Sequence, residues 1–137
     1  MSKLKPQILI VDDSQVVRNE LLSYFLANGY QAISAADGEE GLKLLTQYPQ
    51  IQVALVDIDM PKVAGEQMVQ KIRSELKNES LQIFMCTSST NVTIKFLAEN
   101  YGVKGWIVKP FKTDSLLQLA KKYITGDESR IMVFDKT

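Results

Sequence analysis

The sequence predicts an α/β protein built around a doubly wound parallel sheet with five strands and five helices. Two short runs, Ile8–Val11 and Val53–Val56, contain only β-branched or aliphatic residues. Such runs are typical of strands that are buried on both faces, as parallel sheets require. Strand-like and helix-like segments alternate along the rest of the chain, which favours crossover helices between parallel strands. We therefore expect a flavodoxin-like sheet with the strand order 2-1-3-4-5.

Length and composition indicate one globular domain. The 137 residues are 45% hydrophobic and 23% charged, which is ordinary for a domain with a real core. Sixteen basic residues balance sixteen acidic ones, and no apolar run approaches the roughly 20 residues of a membrane span. We therefore expect a cytoplasmic protein without DNA binding or membrane insertion. Residues 1–125 are predicted to form the domain and residues 126–137 a C-terminal tail.

Two residue types narrow the chemistry further. The chain contains no histidine, which excludes histidine-based acid–base catalysis, histidine metal ligands and a role as a histidine phosphodonor. The single cysteine, Cys86, lies in an apolar stretch and is expected to be a buried structural thiol.

The five strands are predicted from short apolar runs that are bounded by turn-forming residues. In chain order they are Gln7–Val11, Tyr30–Ser34, Gln52–Val56, Gln82–Cys86 and Lys104–Val108.

The helices are predicted from apolar residues at helical spacing and from signals at the helix ends. Ser14 or Asp13 can cap the first helix, and Asn28 with Gly29 closes it in the manner of a left-handed cap. Asp37 followed by Glu40 fits a capping box for the second helix. The remaining helices are predicted over about Ala64–Leu76, Asn91–Asn100 and Thr113–Ile124.

Polar residues stand where four of the predicted strands end. Asp12 and Asp13 follow the first strand, Asp57 the third, Thr87 the fourth and Lys109 the fifth. In a sheet of order 2-1-3-4-5 the first and third strands are neighbours at the switch point, where such sheets bind ligands. The three acids then face a single ammonium group. A hard divalent cation, Mg²⁺, would relieve their repulsion.

An acidic pocket of this kind suits phosphoryl transfer. We assign Asp57 as the nucleophile, Asp12 and Asp13 to the metal, and Lys109 and Thr87 to the phosphoryl oxygens. Each residue alone has a simpler interpretation, as a helix cap, a turn residue, a loop hydroxyl or a surface charge. Their occurrence at four strand ends of one sheet favours the functional interpretation.

Four stretches resemble the receiver domain of the bacterial two-component response regulators, and most closely the single-domain chemotaxis type. They are Ile8–Ser14, Ala36–Leu42, Val56–Pro61 and Lys104–Phe111, in the order and spacing of that family. The resemblance covers residues 7–125 and implies a signalling phospho-acceptor in a phosphorelay, chemotaxis or motility pathway. Such a protein is not an enzyme beyond its own phosphorylation and dephosphorylation.

The resemblance also implies a role for each site residue. Asp57 would accept the phosphoryl group from a sensor histidine kinase or a histidine phosphotransfer protein. The carboxylates of Asp12, Asp13 and Asp57 and the backbone carbonyl of Asp59 would surround Mg²⁺. The peptide bond between Lys109 and Pro110 would be cis.

For signal output, the resemblance implies a switch. Thr87 would move toward the phosphoryl group while the aromatic residue at 106 turns inward. This change would remodel the face formed by the fourth helix, fifth strand and fifth helix, where a downstream target protein docks. Trp106 stands where tyrosine or phenylalanine is more usual, and its bulk makes a partial switch or a constant surface contact an alternative.

Three other functions compete with this interpretation. A receiver-like adaptor could bind partners without phosphorylation. A haloacid dehalogenase-type phosphatase uses an Asp-x-Asp motif, which Asp57 and Asp59 match in spelling, although here the paired acids come first in the chain. A flavodoxin-like cofactor binder would explain the hydroxyl-rich Thr87–Thr90, but that type of phosphate loop would follow the first strand.

Overall fold

Parallel strands and helices alternate throughout the computed structural model, which describes residues 5–58, 60, 64–88 and 92–124. The strands are β1 (Ile8–Val11), β2 (Ala32–Ala35), β3 (Val53–Asp57), β4 (Gln82–Thr87) and β5 (Gly105–Val108). The helices are α1 (Gln15–Ala27), α2 (Gly38–Gln47), α3 (Gly65–Ser74), α4 (Val92–Tyr101) and α5 (Thr113–Tyr123). All strands are parallel and lie in the order β2-β1-β3-β4-β5. The predicted flavodoxin-like fold is confirmed.

Alternate side chains of the central strands fill two hydrophobic layers. Leu9 of β1 and Val56 of β3 face one layer, which α2, α3 and α4 cover. Ile10 and Leu55 face the other layer, beneath α1 and α5. Every residue of β1 and β3 is buried, as the two apolar runs predict for strands that are covered on both faces.

Ser14 and Asp37 cap α1 and α2 as predicted. Only half of the predicted capping box of α2 forms. The Ser14 hydroxyl accepts a hydrogen bond from the backbone N–H of Val17, and Asp37 accepts one from Glu40. The Glu40 carboxylate accepts from the backbone N–H of Ala36 instead of closing a capping box on Asp37. Since Ala36 links β2 to α2, this bond ties the helix start to the strand.

Several element bounds differ from the predicted ones. The second strand starts two residues later, because Gly29 adopts a left-handed conformation (φ 87°) and the Tyr30 N–H returns to the Phe25 carbonyl. Tyr30 therefore completes the end of α1. The third and fourth strands each run one residue further, so that Asp57 and Thr87 are the last residues of their strands.

The remaining differences lie at helix ends or outside the described part. Both α3 and α5 end earlier than predicted, at Ser74 and Tyr123, and α4 runs one residue further, to Tyr101. Asn91, where the fourth helix was predicted to start, and the predicted tail 126–137 lie outside the described residues. None of the helices among the described residues combines the length and the hydropathy that a membrane span requires.

Candidate functional site

Three carboxylates come together at the carboxyl ends of the two central strands. The parallel register pairs Val11 with Val56, which brings the following residues, Asp12 and Asp57, side by side. Asp12 is 2% exposed and Asp57 6% exposed, whereas Asp13 is exposed. One carboxylate oxygen from each of the three residues lies within 4.8 Å of the other two. The predicted convergence of these acids is present in the fold.

Lys109 supplies a positive charge to this cluster from the end of β5. Its Nζ lies 3.0 Å from Oδ2 of Asp12 and 3.5 Å from Oδ1 of Asp57. Partial burial alone would lower the pKa of Lys109, but the hydrogen bond to Asp12 and the charge of Asp57 outweigh burial and raise it. Lys109 is therefore held as an ammonium group against two buried carboxylates.

The backbone places Lys109 and Thr87 on the same side of the cluster. The backbone N–H of Lys109 donates to the carbonyl of Thr87 (2.8 Å), which extends the pairing of β4 with β5 beyond Val108. Thr87 is 5% exposed and ends the strand next to that of Asp57. Its hydroxyl-bearing side chain thus belongs to the same sheet edge as the acids. The peptide bond between Lys109 and Pro110 is cis, as the family resemblance implied.

Asp12 is anchored through all its polar groups. Its backbone N–H donates to the Ala35 carbonyl (3.2 Å), and its Oδ1 accepts from the Ser14 N–H (2.9 Å). Its backbone carbonyl accepts a hydrogen bond of 2.7 Å from Nη1 of Arg18 on α1. The sequence patterns considered above do not identify Arg18 as part of the site. Its position near the start of the helix that follows the paired acids is the one feature of the sequence that could have indicated it.

The carboxylates fit a magnesium ion chemically. Mg²⁺ takes oxygen ligands at about 2.0–2.1 Å, usually from one or two carboxylates together with water and phosphate oxygens. Three oxygens that already lie within 4.8 Å of one another need to move little to share one ion. Asp12, Asp13 and Asp57 could therefore hold the metal. Asp59, whose backbone carbonyl was predicted as a further ligand, lies outside the described residues.

The first residue of α3 packs directly against the backbone of Asp57. A Cβ atom built on Gly65 would overlap the Asp57 carbonyl oxygen and lie 2.9 Å from Cα of Ile58. Only a residue without a side chain allows this approach. Gly65 thereby fixes the distance between α3 and the end of β3, which carries Asp57.

Trp106 lies on the surface of the protein. It is 52% exposed on the edge strand β5, as is Val108 two residues later, and Phe96 of α4 is 46% exposed. Residues two apart on a strand share one side, so Trp106 and Val108 present apolar surface together. An outward Trp106 is compatible with both sequence-based interpretations of this residue, the switch and the constant surface contact.

Cys86, the single cysteine of the chain, pairs with Asp57 across β3 and β4. It is 2% exposed and lies in the layer beneath α1 and α5. Burial raises the pKa of its thiol to about 12, and the neighbouring ammonium of Lys109 only partly opposes this. The predicted burial of this thiol is confirmed.

Comparisons with known proteins agree with this geometry. Residues 8–121 match the response regulator receiver domain family. The chain is 33% identical over 106 residues to a chemotaxis protein CheY homolog of Campylobacter jejuni, with 77% of this chain and 82% of that protein covered. It is 32% identical over 120 residues to the aerobic respiration control protein ArcA of Escherichia coli; 88% of this chain is covered, and the chain spans about half (49%) of ArcA.

Solved structures give the same result. Vibrio cholerae chemotaxis protein CheY4 is similar with a TM-score of 0.78 and 29% identity, over 87% of this chain and 98% of that chain. A response regulator receiver protein from Pseudomonas putida is similar with a TM-score of 0.76 and 28% identity, over 88% of this chain and 99% of that chain.

Proposed function

Because the chain belongs to the response regulator receiver domain family, we propose that it acts as a phospho-acceptor whose acceptor residue is Asp57. The observation that carries this proposal is the position of the Lys109 ammonium, which lies within 3.5 Å of a carboxylate oxygen of Asp57 and 3.0 Å from Asp12. An ammonium group beside the acceptor carboxylate is suited to contact the phosphoryl oxygens once they arrive.

The proposed transfer is a substitution at phosphorus. A carboxylate oxygen of Asp57 attacks the phosphorus of a phosphohistidine, an O–P bond forms and the P–N bond breaks. The electron pair of the broken bond goes to the imidazole nitrogen, which takes up a proton. Asp57 becomes an acyl phosphate, Lys109 donates to one phosphoryl oxygen, and the Thr87 hydroxyl donates to another.

Asp12, Asp13 and Asp57 are the residues that would hold Mg²⁺ in this reaction, with the backbone carbonyl of Asp59 as a proposed fourth ligand. When bound, the ion neutralises charge that develops on the phosphoryl oxygens. Asp12 contributes to the geometry in another way, since its second oxygen keeps Lys109 beside Asp57. With the ion bound, the acids would therefore hold both Mg²⁺ and the ammonium group of Lys109.

Signal output is proposed to pass through protein contacts. Receiver domains interact with histidine kinases and with downstream targets, and we propose the α4-β5-α5 face, with Trp106 at its centre, as the target surface. The exposed side chains of Phe96 on α4 and of Trp106 and Val108 on β5 support this choice, because they leave apolar surface uncovered on two of the three elements of this face. A single-domain, cytoplasmic regulator of a phosphorelay, chemotaxis or motility pathway is the proposed biological setting. Under this proposal, residues 1–125 form the receiver domain and residues 126–137 the tail.

The acceptor assignment is tested with a small phosphodonor. The protein is incubated with acetyl phosphate and Mg²⁺, and intact mass spectrometry records whether one phosphoryl group is added. We expect addition to the wild type, loss of the added mass at alkaline pH, and no addition to Asp57→Asn. The control variant is Glu39→Gln, which removes an exposed acid from α2 and is expected to be phosphorylated like the wild type.

Two outcomes would contradict the acceptor assignment. Equal incorporation into the wild type and Asp57→Asn would place the phosphoryl group on another residue. No incorporation into a folded wild type that binds Mg²⁺ would favour the phosphorylation-independent adaptor.

A further inference from the structure

We propose that Arg18 is a positioning residue for the cation site, because its guanidinium fixes the peptide that joins Asp12 to Asp13. This inference rests on the proposed function, in which these two carboxylates hold a divalent cation. It concerns a residue on α1 that donates to the backbone of Asp12 and that belongs to none of the assigned ligands.

The hydrogen bond from Arg18 is short and charge-assisted. Nη1 of Arg18 lies 2.7 Å from the carbonyl oxygen of Asp12, within the range of charge-assisted N–H···O bonds. That carbonyl belongs to the planar peptide unit that continues to the nitrogen and Cα of Asp13. The hydrogen bond to this carbonyl therefore fixes the direction of the chain after Asp12, and with it the position of the Asp13 Cα that carries the side chain.

Asp13 is the acid whose position depends most on the hydrogen bond from Arg18. The Asp12 side chain is held independently, since the Ser14 N–H donates to Oδ1 and Lys109 Nζ to Oδ2. Asp13 is exposed to solvent, unlike the buried Asp12 and Asp57. An exposed carboxylate reaches a defined position only if its backbone is fixed, and the carbonyl bond from Arg18 fixes that backbone.

The support for Arg18 comes from the same turn of α1. Its backbone N–H donates to the Ser14 carbonyl (3.0 Å), while the Ser14 hydroxyl caps the helix by accepting from Val17. Hydrogen bonds from the backbone and from the side chain of Arg18 thus join the first turn of α1 to the segment that contains the paired acids. Arg18 reaches back over this turn to the strand end.

Two possible roles of Arg18 predict opposite effects on cation affinity. If Arg18 acted only as a positive charge near the acids, its removal would strengthen Mg²⁺ binding by removing Coulomb repulsion. If it positions Asp13, its removal weakens binding, because outer-shell groups that orient metal ligands are typically worth about 10- to 100-fold in affinity.

The experiment is titration calorimetry of Mg²⁺ against the wild type, Arg18→Met and Arg18→Lys, with Lys43→Met as the charge control. Lys43 is an exposed lysine on α2, and its removal changes the net charge by the same amount. We expect a loss of about 10-fold or more for Arg18→Met, partial recovery for Arg18→Lys, which retains a charged donor, and little change for Lys43→Met. Unfolding midpoints without Mg²⁺ establish that each variant is folded; should Arg18→Met not fold, the comparison is made with Arg18→Lys and Arg18→Gln.

The outcomes separate this inference from the proposed function. A wild type that binds Mg²⁺ with Arg18 variants that bind it equally or more tightly would overturn the positioning role and leave the cation site intact. A folded wild type that does not bind Mg²⁺ would overturn the metal part of the proposed function and this inference with it.

Discussion

The Nζ of Lys109 donates a hydrogen bond of 3.0 Å to the buried carboxylate of Asp12, across 97 positions of sequence. The same nitrogen lies 3.5 Å from Asp57. Lys109 thus acts as an internal counter-cation to the acids that we assign to the metal. It also competes with an added cation for their charge while remaining the group suited to contact a phosphoryl oxygen.

The first prediction follows from these two roles. We expect Lys109→Met to bind Mg²⁺ more tightly than the wild type, because the competing ammonium is gone. We expect it to accept a phosphoryl group from acetyl phosphate more slowly by about 10²- to 10³-fold, since one donor to the phosphoryl oxygens is lost. Calorimetry and a mass-spectrometric time course measure the two effects. The control is Lys112→Met, an exposed lysine three residues further on, and parallel changes in both variants would contradict the assignment.

The second prediction concerns alkaline pH. Because the folded-state pKa of Lys109 is raised above its unfolded value, its ionic contribution to stability is fully present below about pH 10.4. The contribution is lost as the pH rises through the folded-state pKa. Urea unfolding of the wild type and Lys109→Met between pH 7 and pH 11 should give a constant difference in unfolding free energy that shrinks only above that value. A difference that shrinks between pH 7 and pH 9 would contradict this coupling.

Local sequence patterns were sufficient to predict the fold and the convergence of the acids. The runs that end at Asp12 and Asp57 are buried on both faces, which requires central strands, and parallel central strands bring their carboxyl ends together. Thr87 ends β4 and Lys109 follows β5, so both residues lie at the same edge of the sheet as the acids. All of these residues stand at a strand end, and the strand order alone therefore predicts that they come together.

Contacts across elements could not be predicted in the same way. Arg18 is one of only two charged residues of α1, and helical spacing does not predict that its side chain reaches back to the Asp12 carbonyl. The start of β2 was predicted two residues too early because Tyr30 is a good strand residue, while the hydrogen bond to Phe25 assigns it to the helix end. A side-chain hydrogen bond decided the first case and a helix-end hydrogen bond the second, and residue propensities predict neither.

A third prediction uses the close approach of Gly65 to Asp57. We expect Gly65→Ala to lower the unfolding free energy by about 2 kcal/mol or more, because the new methyl group would overlap fixed backbone atoms. The matched control is Gly41→Ala on α2, where the nearest atoms belong to side chains and not to the backbone: the flexible end of Met68 at 2.7 Å and Cγ2 of Val11 at 3.1 Å. There the helix-propensity gain of about 1 kcal/mol offsets the cost of repacking. Equal losses in urea unfolding would show that the Gly65 contact is not rigid.

The buried thiol gives a fourth prediction. With a pKa raised to about 12 and almost no exposed surface, Cys86 should react with an aromatic disulfide reagent at pH 8 only when the protein opens. The labelling rate of the native protein should therefore rise with urea and in Gly65→Ala, and urea-unfolded protein should react at once. Immediate stoichiometric labelling of the native wild type would contradict the burial of this side chain.

The last prediction concerns Trp106, whose fluorescence reports on the proposed output face without a competing signal, because the chain has one tryptophan. Since the side chain is 52% exposed, acrylamide should quench its emission efficiently in the unphosphorylated protein. If phosphorylation turns the indole inward, acetyl phosphate with Mg²⁺ should reduce quenching and shift the emission to shorter wavelength, and Asp57→Asn should show neither change. A wild type that gains the phosphoryl group without any change in quenching would instead assign Trp106 to a constant surface contact. The size of an indole favours that second outcome, because an inward rotamer of tryptophan needs more space than one of tyrosine or phenylalanine.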